Sequence, residues 1–121
     1  MPSAREDYLL RMIQQIAAVL ARLRERLTGA TAANDAADVE REGGAAIVSL
    51  LGPQASLLQQ LDSASAVRLV ADADRVALWV ALIRVQADAL RLRGRVEGSD
   101  RLTARAAALE QAAAAAWPQK P

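Results

Sequence analysis

Histidine and cysteine are both missing from this chain, and phenylalanine is missing with them. Without cysteine there are no disulfides, no thiolate metal site and no thiol nucleophile. Without histidine the commonest general base and the commonest metal ligand are gone. Di-metal helical bundles that depend on Glu-x-x-His pairs are excluded for the same reason. Aromatics make up 2% of the chain, namely Tyr8, Trp79 and Trp117, so the core must be filled by Leu, Ile, Val and Ala. Charge of one sign is also lacking. The net charge is +1, so no overall field selects nucleic acid or an acidic membrane. Long apolar runs are absent too. The longest strongly apolar run, Val76 to Ile83, is far too short to cross a bilayer. Arg11, Gln14 and Gln15 interrupt the first apolar segment, and Glu6 and Asp7 precede it, so it does not read as a secretory leader.

What remains is 121 residues, 53% hydrophobic and 24% charged, with Ala the commonest residue. That length and balance suit one folded domain, 1–121, with a frayed tail at about 118–121. Ala with Leu is the composition of closely packed helices. Small side chains bury little area each, so an Ala-rich monomer gains modest stability from its core at about 25 cal/mol per Å². This is a first argument for a partner. A cytoplasmic setting is the default expectation.

Ser3-Ala4-Arg5-Glu6 is a capping box. Leu9, Ile13, Ile16, Leu20, Leu23 and Leu27 follow at heptad spacing, with Met12 and Val19 widening the seam. The pattern predicts a helix from about Ala4 to Leu27, stopped at Thr28-Gly29. Asn34-Asp35 or Thr31 can cap a second helix, which runs to Gly52-Pro53. It carries Gly43-Gly44 in its middle, where a kink, a break or a close helix contact is expected. Short helices around Leu57, Leu58 and Leu61, and around Val67, Leu69 and Val70, come next, the latter capped by Asp62 or Ser63. Asp72 or Asp74 opens a long helix to about Val96. Glu97-Gly98 breaks the chain, and Ser99 or Asp100 caps a last, Ala-rich helix ending at Trp117-Pro118. No segment alternates with period two. The expected fold is all-α: a single-domain bundle of about four main helices plus short connecting helices.

The long helix carries two apolar seams. One is Val76, Val80, Ile83, Ala87 and Leu90. The other is Leu78, Leu82, Val85, Ala89, Leu92 and Val96, about 200° away. A helix apolar on two sides is buried on two sides, so it is either the central helix or part of an oligomer interface. With the long heptad of the first helix, it suggests a homodimer, with Leu9, Ile13, Ile16, Leu20, Leu23, Leu27, Leu78, Leu82 and Val85 as the expected interface.

Arg22-Leu23-Arg24-Glu25-Arg26 and Arg91-Leu92-Arg93-Gly94-Arg95 repeat one R-L-R-x-R pattern. In each, the first and last arginine share a helix face and the middle one points away. Both lie in the last turns of expected helices, where cations meet the negative end of the dipole and a phosphate is disfavoured. Arg22 with Glu25, Asp88 with Arg91, and Arg93 with Glu97 are at pairing distance. Anion or nucleic-acid binding through Arg22, Arg26, Arg91 and Arg95 is therefore the alternative reading, not the leading one. No aromatic residue interleaves either cluster. Asp35, Asp38 and Glu42 form one carboxylate stripe, able to hold a hard cation, to meet a partner's arginines or to face water near a helix N-terminus. Tyr8 reads as a core-edge residue. Neither stripe nor tyrosine makes a catalytic constellation, so the chain reads as a non-enzyme with no cofactor and no metal.

Asp7-Tyr8-Leu9-Leu10-Arg11-Met12-Ile13 resembles the start of an uncharacterised family of small bacterial helical proteins whose N-termini read D-[YW]-L-x-R-x-I. The later long helix, Gly-containing turn and Ala-rich last helix look like that family's tetratricopeptide-like ending. Trp79 and Leu82 keep the W-x2-L spacing, while Ile83 and Gln86 stand where the repeat has Gly and Tyr. The resemblance implies an all-helical fold and transfers no catalytic residue. The combined expectation is a cytoplasmic helical interaction module, a homodimer or adaptor, for which membrane and nucleic acid are unfavoured partners.

Overall fold

The computed structural model describes residues 3–118, which fold into six α-helices and a short 3₁₀ turn, with no strand among the described residues. The helices are α1 (Ala4–Thr28), α2 (Ala32–Leu51), α3 (Ala55–Gln60), α4 (Ser63–Val70), α5 (Ala73–Leu92) and α6 (Val96–Ala116), and the 3₁₀ turn is Gly52–Gln54. The all-α bundle read from the periodicities is the observed fold. The expected fraying at 118–121 concerns residues that, beyond Pro118, lie outside the described ones.

Local chemistry sets most of the boundaries. The Ser3 hydroxyl accepts from the Glu6 amide, and the Glu6 carboxylate accepts from the Ser3 amide, closing the capping box of α1. The Asp62 and Asp72 carboxylates cap α4 and α5 by accepting from the Ser65 and Arg75 amides. Thr31 occupies the N-cap of α2, but its hydroxyl donates to the Asp35 carboxylate instead of accepting from the backbone. α2 ends at Gly52, whose φ of 74° takes the chain out of the helix before Pro53.

α5 is the centre. It packs against α2 on one side, α6 on another and α1 on a third, while α4 packs on α6. Both of its seams are consumed there. Val76, Val80, Ile83, Ala87 and Leu90 are buried from the first seam, and Leu82, Val85 and Ala89 from the second. Only Leu78, half-buried, and Leu92 and Val96, exposed, escape. Trp79 is 1% exposed and supplies the largest side chain in the core. Polar ties fix the directions. Arg75 donates to the Leu50 carbonyl at 2.7 Å, and Gln86 donates to the Glu40 carbonyl at 3.1 Å, so α2 and α5 run antiparallel. Arg84 with Glu110 and Arg91 with Asp100 do the same for α5 and α6. The buried residues of all six helices join in one continuous cluster. Burying each Leu, Ile or Val of that cluster contributes about 1.5–3 kcal/mol against chain entropy.

Gly43-Gly44 does not break α2, which runs unbroken through it. A Cβ on Gly43 would sit 3.1 Å from Gln86 Cγ, and one on Gly44 would sit 3.2 Å from Gln86 Nε2. The pair is the seat for the Gln86 side chain, which is why α2 and α5 approach closely here.

The α5–α6 turn falls earlier than the sequence pattern indicates. α5 stops at Leu92, and α6 begins at Val96 instead of after a cap at Ser99 or Asp100. The Arg95 amide donates to the Leu90 carbonyl and the Gly94 amide to the Arg91 carbonyl, with Gly94 at φ 76°. That is a complete Schellman stop, built on the glycine inside the second arginine motif. Ser99 is instead a buried residue of α6. Gly98 lies within α6, where a Cβ would meet Leu90 Cδ1 at 3.3 Å.

Candidate functional site

The expected interface residues divide sharply. Leu23 and Leu82 are 0% exposed in a single copy, and Ile16, Leu20 and Val85 are also buried. These five belong to the chain's own core, and the interface role expected of them is corrected. The reason is that α2, α5 and α1 cover one another. Leu9, Ile13, Leu27 and Leu78 are half-buried and keep part of their surface open.

α1 is longer than the body it packs on. Arg26 meets Asp35 and Asp38 in the first half of α2, and Ile16 and Val19 lie with Ala46 and Ser49 near its end. The turns before Met12 therefore run past the end of α2. There Tyr8 is 64% and Leu10 56% exposed. A shallow cleft of about 460 Å³ between this part of α1 and Ser49 is lined by Tyr8, Met12, Ile16 and Val19. Val48, on the neighbouring position of α2, is exposed as well.

The arginine pairs do not converge. Arg26 reaches across to the carboxylate stripe of α2, 2.7 Å from Glu42, 3.8 Å from Asp38 and 3.9 Å from Asp35. The stripe therefore serves an arginine of its own chain. Arg22 lies exposed beside the same region, in a depression shared with Glu42. Arg91 pairs with Asp100 at 3.3 Å, and Arg93 pairs with Glu40. Arg95 follows the Gly94 turn, so it does not share a face of α5 with Arg91, which corrects the expected Arg91–Arg95 pair. None of the close-range pairs expected within single helices forms among the described residues. Pairs between helices replace them, a pattern sequence spacing cannot show.

A larger groove, about 590 Å³, opens between the end of α1 and the second half of α5. Its apolar lining is Leu27, Ala81, Val85 and Leu92, and Arg24, Arg84, Asp88 and Arg91 edge it. Arg84 and Arg91 are held by carboxylates of α6, while Arg24 has no carboxylate partner among the described residues. Arg24 is the middle arginine of its motif, on the opposite face from Arg22 and Arg26.

A second site missed by spacing is Arg105. Its guanidinium donates to the Ser63 hydroxyl at 2.9 Å and the Leu58 carbonyl at 3.1 Å, and it lies 5.5 Å from the Trp79 ring centre. Burial pulls its pKa below the usual arginine value, and the Asp62 charge works against that shift. Its position between Leu102 and Leu109, on the inner face of α6, was the available signal.

Asp72 is an N-cap and Asp74 sits in the first turn of α5. No group of three or more metal-ligating side chains comes together among the described residues. No helix there is long and apolar enough to cross a membrane. The features able to meet a partner are thus noncovalent: the apolar overhang of α1 and the arginine-edged groove. Comparison with protein-family models, curated proteins and solved structures gave no match.

Proposed function

We propose that this protein is a non-catalytic helical interaction module acting as a homodimer or adaptor. The observation that carries the reading is the overhang of α1, where Tyr8 and Leu10 stand in solvent beside half-buried Leu9, Met12 and Ile13. The exposed surfaces of Tyr8 and Leu10, with the open parts of Leu9, Met12 and Ile13, are costly to leave wet, at about 25 cal/mol per Å². The two-sided apolar character of α5 no longer adds to the argument, since α2, α6 and α1 absorb it. A chain without histidine or cysteine is consistent with binding as its work. Anion binding through Arg22, Arg26, Arg91 and Arg95 loses weight, because Arg26 and Arg91 already hold carboxylates.

Sedimentation velocity of the whole chain, from low to high micromolar concentration, tests the homodimer form. The expected result is a mass above one chain that falls on dilution. A single-chain mass throughout, with the apolar dye 1-anilinonaphthalene-8-sulfonate finding no surface to bind, removes the reading.

A further inference from the structure

We infer that two copies pair through α1, antiparallel and two-fold symmetric about Ala17, each placing Leu10 and its acidic first turn at the other's arginine-edged groove. The inference rests on the interaction-module reading above and names its partner and geometry.

Leu10 of the overhang and Arg24 at the groove lie at opposite ends of one helix, on one face; Tyr8 points about 160° away from Leu10, toward the cleft beside Ser49, and stays outside the contact. At about 100° per residue, Glu6, Leu10, Ile13, Ala17, Ala21 and Arg24 fall within about 80° of one another on α1. Between Glu6 and Arg24 that face carries no charge and no amide. Leu10, Ala17 and Ala21 are exposed, and Ile13 is half-buried. Past Arg24 the same side becomes the wall of the groove, through Leu27 and Thr28.

An antiparallel copy of α1 centred on Ala17 sets Leu10 opposite Arg24, Ile13 opposite Ala21, and Asp7 opposite Leu27. Each half of the contact repeats the other, as two-fold symmetry requires. Leu10 of one copy lies over the aliphatic stem of the partner's Arg24, at the rim of the groove. The small residues sit at the middle, where the helix axes must come closest. The acidic first turn, Glu6 and Asp7, reaches the groove near Arg24, which has no carboxylate partner among the described residues, so these charges are complementary although Asp88 also edges the groove. A parallel pair would instead set Leu10 on Leu10 and Arg24 on Arg24, and would leave both grooves empty. α1 is about 37 Å long at 1.5 Å per residue. A strip of that length and about 10 Å width is below the roughly 800 Å² per partner of a standard interface, so the association is weak and concentration-dependent.

Because the chain has no cysteine, single substitutions report the geometry directly. At an axis separation of about 8–10 Å, with Cα atoms about 2.3 Å from each axis, residues on the two-fold come within disulfide range. Ala17→Cys, exposed and harmless to the core, is oxidised with a glutathione redox buffer at high micromolar protein and read on a non-reducing gel. The expected result is a covalent dimer from Ala17→Cys and none from Leu10→Cys, whose thiols would lie about 21 Å apart along the helices. The pair Leu10→Cys with Arg24→Cys should cross-link again. Leu10→Glu, folded by circular dichroism, should dimerise at least about tenfold more weakly. A dimer by sedimentation that Ala17→Cys fails to trap overturns this geometry and leaves the interaction-module reading standing. A single-chain mass at every concentration overturns the pairing outright.

Discussion

The guanidinium of Arg105 lies 5.5 Å from the centre of the Trp79 ring, joining the one charged group on the inner face of α6 to the largest side chain of the core. The same guanidinium holds the end of α3 through Leu58 and the start of α4 through Ser63. It therefore ties to α6 two short helices that also bury Leu58, Val67 and Val70 in the core. Arg105→Ala should lower stability by about 2–3 kcal/mol, less than the plain sum of two charged hydrogen bonds and the ring contact because the half-buried guanidinium is partly solvated. Arg105→Lys should recover only part, because an ammonium lacks the planar fork. Urea unfolding of the two variants is the measurement, and equal losses would refute the role of the fork.

Gly43 and Gln86 should be energetically coupled. Gly43→Leu should cost about 1–3 kcal/mol by overpacking against the Gln86 side chain. In a Gln86→Ala background the same change should cost less. A double-mutant cycle that shows simple additivity would mean the close approach of α2 and α5 does not depend on this pair.

These two contacts also show where the sequence stops being readable. The double glycine marked a special place in α2 but not its neighbour, since Gln86 is more than forty positions away. Periodicity gave α1, α2 and α5 to within a few residues, and the caps at Ser3, Asp62 and Asp72 stand where they were expected. The α5–α6 turn was misplaced because Gly94 and Gly98 both fit a helix stop. Only the Schellman bonds at Gly94 and the Leu90 contact at Gly98 separate them. Ile16, Leu20, Leu23, Leu82 and Val85 read as interface and prove to be core for a related reason. An apolar seam says that a face is covered, and not whether its cover comes from the same chain. Arg24 was discounted because it faces away from Arg22 and Arg26, toward the groove that spacing could not reveal.

Ala71 closes α4 at φ 56°, a left-handed position held by a residue with a Cβ. Ala71→Gly should raise stability by about 0.5–1 kcal/mol by removing that strain. Ala71→Val should lower it. The shift in denaturant midpoint at unchanged slope measures both.

The Asp62 cap gives the fold a pH-dependent element. Hydrogen bonds from the Ser65 hydroxyl and amide hold its carboxyl below the ordinary aspartate value. A group with a lowered folded pKa contributes stability that is complete above its unfolded pKa and is lost as pH falls through the folded one. Asp62→Asn keeps a side-chain acceptor for the cap but cannot titrate. Melting temperatures from neutral to acid pH should decline less steeply at the acid end in Asp62→Asn than in the parent. Parallel curves would show that the cap's charge contributes nothing.

The overhang of α1 also gives the molecule a graded order of opening. α5 is held by three neighbours, so its amides can exchange with solvent hydrogen only when the whole domain comes apart. The turns of α1 before Met12 have no such clamp and can unwind alone, beginning at the Ser3 box. In a lone copy, deuterium should enter there first and a protease should make its earliest cuts there, while a seated partner would slow both.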